Sequence, residues 1–450
     1  DELVSAKLGE AFGPLEAFLD SPIIQALPLK FIGLAPRDVI DLITRAPQEV
    51  SALLNTLAEI ARDYDMHVEH FFHAMLRSYQ QTHNNYFEDI ETAASAFRQA
   101  HKWKPGTPLT LDQVRHVLED EMGVEINEER LEDYPELNSF RSVWIEGAHE
   151  QLLLNGKLSD RQKVFQIARE IGYRDLKLKA RGKTSSRAEA ESFEQVLNDF
   201  KASYYAGALL IDQEALVRDL SAFFGKERWD GSRFLVIMQH YGVTPEMFLY
   251  RLTQILPKRF GLTQQHFLRV THDAETHGYH VTKELNMAGL LIPTGLGRSE
   301  HYCRRWVAVS LLRQMDDQAR RGAPKGPMIA VQRSTFIDSG AEFFRIALAR
   351  PLALNQGSTT CVTLGWPIDD AFKKAVRFWD DPSVHKVDVN ITCERCGLSK
   401  AECSDRAAPP NTRNQIAHLE ARNKALEQLF AEGKPDPKID GKPEPKVAKG

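Results

Sequence analysis

The chain has 450 residues, of which 42% are hydrophobic and 26% are charged, and its formal net charge is −5. This composition is that of an ordinary soluble protein of several domains, and the negative charge excludes a general affinity for nucleic acid. It contains no apolar run long enough to span a membrane, no secretory leader and only five cysteines, so we expect a cytoplasmic protein.

The N-terminal half is predicted to be mainly helical. Apolar residues recur at helical spacing over residues 1–60 and again over 61–100, where they predict one long helix or a helix pair. A break rich in Lys, Pro and Gly follows, and Thr110 then opens a capping pattern that restarts a helix. Two longer helices are predicted over residues 160–175 and 188–210.

A small sheet and a basic loop interrupt these helices. Alternating apolar residues predict strands at 124–127, 140–145 and 151–155, which we expect to form an antiparallel sheet turned at Gly147. The basic residues within 177–187 lack the interleaved aromatic side chains of a nucleic-acid or phosphate site. We interpret that stretch as a solvated loop.

Residues 230–252 have the cadence of a helix-turn-helix. A helix that reads DNA needs polar and basic residues at its exposed N-terminal end. The second helix instead begins with Glu246, Met247 and Phe248, an acid and two apolar side chains. We therefore predict a packing element that does not read DNA.

The C-terminal half changes character after residue 258. Strands are predicted at 266–270, 280–282, 328–332 and 343–349, which indicates an α+β domain. The predicted domains are a helical segment (1–60), a helical domain with a small sheet (61–258), the α+β domain (259–410), a polar helix (411–432) and a disordered tail (433–450).

Three cysteines, Cys393, Cys396 and Cys403, fall within eleven residues with the spacing C-x2-C-x6-C. Thiolates this close in sequence can converge on one metal centre, and an odd number of cysteines argues against a disulfide framework. A four-thiolate site needs one more ligand. Cys303 has polar, basic neighbours and is preferred over Cys361, which lies in a predicted buried strand. Spacing alone leaves zinc and an iron–sulfur cluster both open.

Several segments, in the same order, resemble the short-chain fatty acyl transcriptional regulators of bacteria, the propionate-regulator type. Members of that family combine an XRE-type helix-turn-helix, a central domain similar to the zincin-like IrrE/ImmA metallopeptidases, and a C-terminal sensory domain with a cysteine cluster. The resemblance covers roughly residues 75–410 and is carried by residues 140–142, 152–154, 162–172, 203–210 (family N-Y-F-A-A-A-L-L), 267–270, 303–306 (family C-p-x-W) and 393–410 (family C-x-x-C…C-x-x-R-A-x-P-P).

The resemblance implies an IrrE-like domain without its catalytic metal. An active peptidase of this kind carries H-E-x-x-H, with two histidines on zinc and a glutamate as base. Here Glu170 is retained, but Arg169 and Tyr173 occupy the ligand positions, and Lys201 stands where the downstream acidic ligand is expected. We therefore expect a protein that is not an enzyme.

The resemblance also implies cofactors and partners. A [4Fe–4S] cluster, with zinc as the alternative, is expected on Cys303, Cys393, Cys396 and Cys403. The effector is expected to be coenzyme A or a short-chain acyl-CoA, whose phosphates need cations and whose adenine and acyl chain need an apolar wall. The candidate ligand-binding residues are Tyr250, Arg251, Phe267, Arg269 and Lys283.

Because the chain begins at Asp1, we expect that an upstream DNA-binding domain has been removed and that operator DNA is bound through it. A homodimer is expected because operators are palindromic, and no membrane partner is expected. Two alternatives remain open: a divergent IrrE-like metallopeptidase that uses Glu170, and an interaction protein that a structural zinc staples together.

Overall fold

The computed structural model describes residues 68–147, 149–184, 190–273, 275–276, 278–290, 300–321, 326–355 and 357–432. The helices predicted for residues 1–60 and the tail predicted for 433–450 lie outside these ranges. The described chain mixes helices and sheets, with a mainly helical N-terminal half and a sheet-containing C-terminal half, which confirms the predicted fold class. No helix in these ranges is long and apolar enough to cross a membrane.

The N-terminal half contains eight α-helices among the described residues: α1 (Val68–Thr82), α2 (Glu88–Ala100), α3 (Leu111–His116), α4 (Asp160–Asp175), α5 (Phe193–Leu210), α6 (Gln213–Phe224), α7 (Gly231–His240) and α8 (Pro245–Phe260). The 61–100 stretch is thus a helix pair, because Asn84 and Asn85 adopt left-handed backbone angles (φ 50° and 52°) that end α1. Thr110 forms the predicted capping box with Gln113. The helix expected from residue 188 begins only at Phe193, where Ser192 caps it.

The small sheet consists of β1 (Glu125–Asn127), β2 (Ser142–Ile145) and β3 (Gln151–Leu154) in the order β1-β3-β2. β2 and β3 pair antiparallel as predicted, but β1 pairs with β3 in parallel, so the expected all-antiparallel sheet is wrong. The reason is the connection between β1 and β2. It contains two short 3-10 turns, and these return the chain so that β2 lies on the far side of β3.

The C-terminal half is built on a six-stranded sheet. Its strands are β4 (His266–His272), β5 (Tyr279–Asn286), β6 (Met328–Phe336), β7 (Glu342–Pro351), β8 (Thr359–Pro367) and β9 (Lys386–Val389), in the order β5-β4-β8-β7-β6-β9. Every neighbouring pair is antiparallel except β6–β9. Its helices are α9 (Val307–Arg320), α10 (Asp370–Ala375) and α11 (Asn411–Glu432). β5 is longer than the strand predicted at 280–282.

The two faces of this sheet have different neighbours. On one face Phe267, Ile346 and Leu364 share a continuous core with the helices of the N-terminal half. On the other face lie Leu268 of β4 and Phe343, Ala347 and Ala349 of β7. These side chains pack beneath α9 and the residues just before it, 302–306. Each fully buried side chain of this kind contributes about 1.5–3 kcal/mol.

The pair α7–α8 belongs to the first of these cores. Phe248, Leu249 and Leu252 of α8 are fully buried. The helix-turn-helix cadence therefore marks a packing element, as predicted.

A buried ion pair joins α8 to α2. The guanidinium of Arg251 binds both carboxylate oxygens of Glu91, with Nη1–Oε1 2.6 Å and Nη2–Oε2 2.7 Å, and the Tyr204 hydroxyl donates to Oε1 at 2.7 Å. Arg251 has 1% of its surface exposed and Glu91 has 8%. Because the site is buried and has a low dielectric constant, removing either charge would leave the other one buried without compensation.

We predict that Glu91→Gln lowers the free energy of unfolding by about 3–5 kcal/mol, because it leaves the Arg251 charge buried without a counter-charge. The matched control is Glu214→Gln, which removes the partner of Arg259 in a pair whose carboxylate is 60% exposed, and which should cost at most about 1 kcal/mol. Urea denaturation followed by circular dichroism measures both. Equal losses in the two variants would contradict the assignment.

Candidate functional site

Two segments that lie about ninety residues apart in sequence meet at the cysteines. Tyr302 and Thr392 form an antiparallel bridge. On either side of it, the Cys303 N–H donates to the Ile391 carbonyl at 3.1 Å and the Cys393 N–H donates to the His301 carbonyl at 2.8 Å. This register places Cys303 beside the start of the C-x2-C turn.

Side chains strengthen the same junction. The Trp306 indole N–H donates to the Asn390 carbonyl at 2.7 Å. Glu394 accepts from the His301 backbone N–H and lies 2.8 Å from the His301 ring Nδ1, and Arg395 pairs with Glu300 at 2.8 Å. The segments 300–306 and 390–396 are therefore held as one unit.

Arg406 organises the loop that carries the remaining cysteines. Its Nη2 donates to the carbonyls of Cys393 at 2.6 Å and Cys396 at 3.4 Å, its Nε donates to the Ala408 carbonyl at 2.7 Å, and its Nη1 binds the Leu398 carbonyl. A planar guanidinium can satisfy several carbonyls at once, which a lysine in this position could not do.

The four cysteines are all buried, with between 4% and 7% of their surface exposed. The pKa of the Cys303 thiol is raised to about 11, mainly by burial; backbone hydrogen bonds from Asn390 and Arg305 oppose the rise, and the nearby Cys393 and Cys396 contribute to it. Burial and a hydrogen bond to Asp405 raise the pKa of Cys403. Among the residues that the structure describes, no set of three or more His, Cys, Asp or Glu side chains is arranged to hold a metal ion.

Cys361 lies apart from this group. It is fully buried in the middle of β8, opposite Val270 of β4 and Ala349 of β7, within the apolar cluster under α9. Burial raises the pKa of its thiol, which is the behaviour of an inert core cysteine.

Beneath the cysteines, the sheet carries a buried cation that the sequence analysis missed. Arg345 of β7 has 2% of its surface exposed, and its guanidinium carbon lies 5.0 Å from the centre of the Phe336 ring. Its Nε and Nη2 have no hydrogen-bond partner among the described residues. Burial lowers its pKa to about 10, and the charge of Cys303 opposes this. In the sequence, the feature that could have indicated this buried cation is an arginine within the otherwise apolar run of β7.

The neighbours of Arg345 in the sheet form a polar row. Gly365 lies opposite Arg345, and His266 lies opposite Gly365 on the next strand. A Cβ at Gly365 would stand 2.3 Å from His266 Cε1 and 2.9 Å from Arg345 Cγ, so only glycine fits there. On the other side, Gln332 donates to the Arg305 carbonyl at 3.0 Å, which ties this row to the cysteine segment.

A second site lies on α4, where the resemblance predicted a peptidase centre. Arg169 pairs with Asp199 of α5 at 2.5 Å, and the Tyr173 hydroxyl donates to the same carboxylate at 3.4 Å. Glu170 has 3% of its surface exposed and pairs with Arg181 at 2.6 Å. Two guanidinium groups thus neutralise the two carboxylates of this cleft.

The environment of Arg181 contradicts the prediction that residues 177–187 form a solvated loop. Its guanidinium lies 3.9 Å from the centre of the Trp144 ring and 4.5 Å from that of Tyr173. The described end of this stretch continues beside β2, where the Trp144 N–H donates to the Lys183 carbonyl at 2.8 Å. Sequence reasoning also missed Asp199 as the acid of the cleft. It lies two residues before Lys201, the half-buried residue assigned to the position of the downstream ligand.

A third group brings together four of the five residues predicted to bind coenzyme A. Arg269 of β4 and Lys283 of β5 both pair with Glu246, at 3.2 and 3.3 Å. The Lys283 ammonium lies 3.7 Å from the centre of the Tyr250 ring and 5.7 Å from that of Phe267. Arg251, the fifth, is buried in its ion pair with Glu91, so it holds helices together and is not placed to meet a ligand.

Two further cations extend this group. Burial lowers the pKa of the half-buried Arg350 guanidinium of β7, Glu246 opposes the shift, and the like charges of Arg141 and Arg269 reinforce it. Arg141, Arg269, Lys283 and Arg350 therefore concentrate positive charge around one carboxylate, in a chain whose overall charge is negative. We call these four residues the cation cluster.

Helix α4, which carries Glu170 between Arg169 and Tyr173, and the three-stranded sheet lie within a stretch that is similar to a known family. Residues 119–253, less than a third of the chain, match the family model for the IrrE N-terminal-like domain, Peptidase_M78. The structure is also similar to that of a Mycobacterium tuberculosis transcriptional regulator, at 19% sequence identity and a TM-score of 0.49, covering 74% of this chain and 92% of that one. None of the curated proteins matches the sequence.

We predict that Arg181→Met lowers the free energy of unfolding by about 3 kcal/mol, because it strands the buried Glu170 carboxylate, and that adding Glu170→Gln recovers more than half of this loss. Denaturant unfolding of the single and double variants measures the coupling. The matched control is Arg174→Met, which removes a second guanidinium from the Trp144 ring but breaks only a pair with the 43%-exposed Glu150. A double variant as unstable as Arg181→Met would contradict the ion-pair account.

Proposed function

We propose that this chain is the sensory part of a transcriptional regulator, with a [4Fe–4S] cluster on Cys303, Cys393, Cys396 and Cys403 and coenzyme A or a short-chain acyl-CoA as its effector. One observation carries the proposal. Backbone hydrogen bonds hold the segments of Cys303 and Cys393 side by side, and the buried Cys396 and Cys403 follow in the loop that Arg406 ties to Cys393.

The chemistry of the junction fits a cluster. Four thiolates around a cluster leave net negative charge, which needs nearby cations or N–H donors when it is buried. Arg345, whose Nε and Nη2 have no hydrogen-bond partner among the described residues, lies on the sheet below, and the Ala407 N–H donates to Cys393 Sγ at 3.3 Å. When bound, a cluster would supply a cross-link between residues 300–306 and 390–406 whose integrity depends on oxidation state.

The cation cluster supports the effector assignment. Phosphate groups are bound by convergent arginine and lysine side chains, and Arg269, Lys283 and Arg350 converge here around Glu246. Tyr250 and Phe267 supply aromatic surface beside Lys283. This site lies on the sheet face opposite the one that bears Arg345.

The same proposal assigns no peptidase activity to the IrrE-like domain. A zinc peptidase activates water with a metal held by neutral imidazoles and carboxylates. Arg169 and Arg181 bring positive charge to that position instead, and Glu170 is already engaged as an ion-pair partner. DNA would be read by a domain upstream of this chain.

We predict that protein purified without oxygen contains iron and acid-labile sulfide in equal amounts, with the broad visible absorbance of a cluster. Cys303→Ser should lose most of both, because it removes a ligand, and should also loosen residues 300–410 as measured by hydrogen exchange. The matched control is Cys361→Ala, which removes a buried cysteine outside the junction and should keep the full iron content.

Each other result of this experiment decides against part of the proposal. Zinc without iron would support a structural staple. Protein free of both metals would overturn the centre altogether. A Cys303→Ser protein with a full cluster would show that the fourth ligand lies elsewhere.

We predict that Lys283→Gln and Arg350→Gln each weaken binding of coenzyme A by about tenfold to 100-fold, the usual effect of removing a charged hydrogen-bond donor to phosphate. Isothermal titration calorimetry measures this, with 3′,5′-ADP and pantetheine as probes of the two ends of the ligand. The loss should appear with 3′,5′-ADP and not with pantetheine.

The control for surface charge is Arg320→Gln, whose side chain on α9 is 75% exposed. Unchanged affinity in both test variants would move the phosphate site away from the cation cluster.

A further inference from the structure

The part of helix α11 whose side chains the structure describes lies exposed to solvent. Every residue from 418 to 430 is exposed. Of the six large hydrophobic side chains that are exposed in the described parts of the chain, four are on this helix: Leu419 (47%), Leu426 (42%), Leu429 (62%) and Phe430 (68%). Apolar side chains concentrated on one exposed helix indicate a surface that a partner covers.

The spacing of the apolar positions is that of a coiled coil. Ile416, Leu419, Asn423, Leu426 and Phe430 follow one another at intervals of three, four, three and four residues. This is the a-d-a-d-a pattern of the heptad repeat, with a period of 3.5 residues, which keeps one seam facing a partner helix that coils around it. The seam spans most of the roughly 33 Å of a 22-residue helix.

The charged residues that flank the seam favour a partner helix of the same sequence. Arg422 occupies a g position and Glu427 the following e position. In a parallel pair of identical helices, the g residue of one chain faces the following e residue of the other, so Arg422 meets Glu427 of the second copy, and this occurs twice. A partner with the same sequence therefore has the complementary charge at the right place.

Asn423 decides between the two orientations. In a parallel two-stranded pair, a positions face each other, so the two Asn423 amides can hydrogen-bond across the seam. In an antiparallel pair, a positions face d positions, and the amide would be buried against a leucine without a partner. The seam therefore favours the parallel arrangement.

We propose that α11 is a parallel two-stranded coiled-coil interface that joins two copies of this chain. This interface does not depend on the proposed iron–sulfur cluster or on the proposed effector. Because α11 starts eight residues after Cys403, immediately after Pro409 and Pro410, the pairing would bring the cysteine junctions of two copies to the same end of the coiled coil.

Sedimentation velocity of the whole chain over a range of concentrations tests the proposal. The wild-type protein should show a concentration-dependent dimer, and the double variant Leu419→Asp/Leu426→Asp should remain monomeric, because it places charges in the seam. Lys424→Glu, a charge reversal at an outward-facing b position, is the matched control and should dimerise like the wild type. Near-ultraviolet circular dichroism checks that all the variants keep the fold.

A charge swap tests the identity and register of the partner. Arg422→Glu alone and Glu427→Arg alone should each raise the dimer dissociation constant by roughly threefold to tenfold, because each creates two like-charge contacts at the rim of the seam. The double variant Arg422→Glu/Glu427→Arg should restore the wild-type constant. A wild-type protein that is monomeric throughout, a dimer that survives both aspartates, or a double variant as weak as the single ones would overturn the proposal.

Discussion

The alternation of side chains across the six-stranded sheet is the constraint on which the rest of the C-terminal half depends. Residues of even number on β7 and β8 face the helices of the N-terminal half, and residues of odd number face α9 and the cysteine segment. A shift of one residue in the pairing of β7 with β8 would bring Arg345 into the helical core and remove Gly365 from beside it. The long antiparallel register therefore fixes both the core and the charge below the cysteines.

The same sheet separates the two sites to which we assign function. Arg350 and Arg345 lie on one strand, five residues apart and on opposite faces, so one belongs to the cation cluster and the other to the polar row under Cys303. The IrrE-like domain contributes to this arrangement through α8, which supplies Glu246 and Tyr250 to the cation cluster.

In the IrrE-like cleft, each carboxylate is paired with an arginine. Where a peptidase would balance its carboxylates with a metal ion, this chain balances Glu170 and Asp199 with Arg181 and Arg169. The aromatic rings of Trp144 and Tyr173 hold the Arg181 guanidinium in place. The two carboxylates and the two guanidinium groups therefore form one ion-pair network.

The sequence by itself determined the features that depend on local spacing. The period of apolar residues predicted most helices and strands, the box at Thr110 marked a helix start, and C-x2-C-x6-C marked a group of thiols. Only the tertiary structure decided what depends on contacts between distant segments. It paired β1 in parallel with β3, engaged Arg251 with Glu91, brought Arg181 to Glu170 and placed Arg345 below Cys303. The sequence does not distinguish an arginine in a solvated loop from an arginine in a buried ion pair. The difference depends on distant segments that only the fold packs around the side chain.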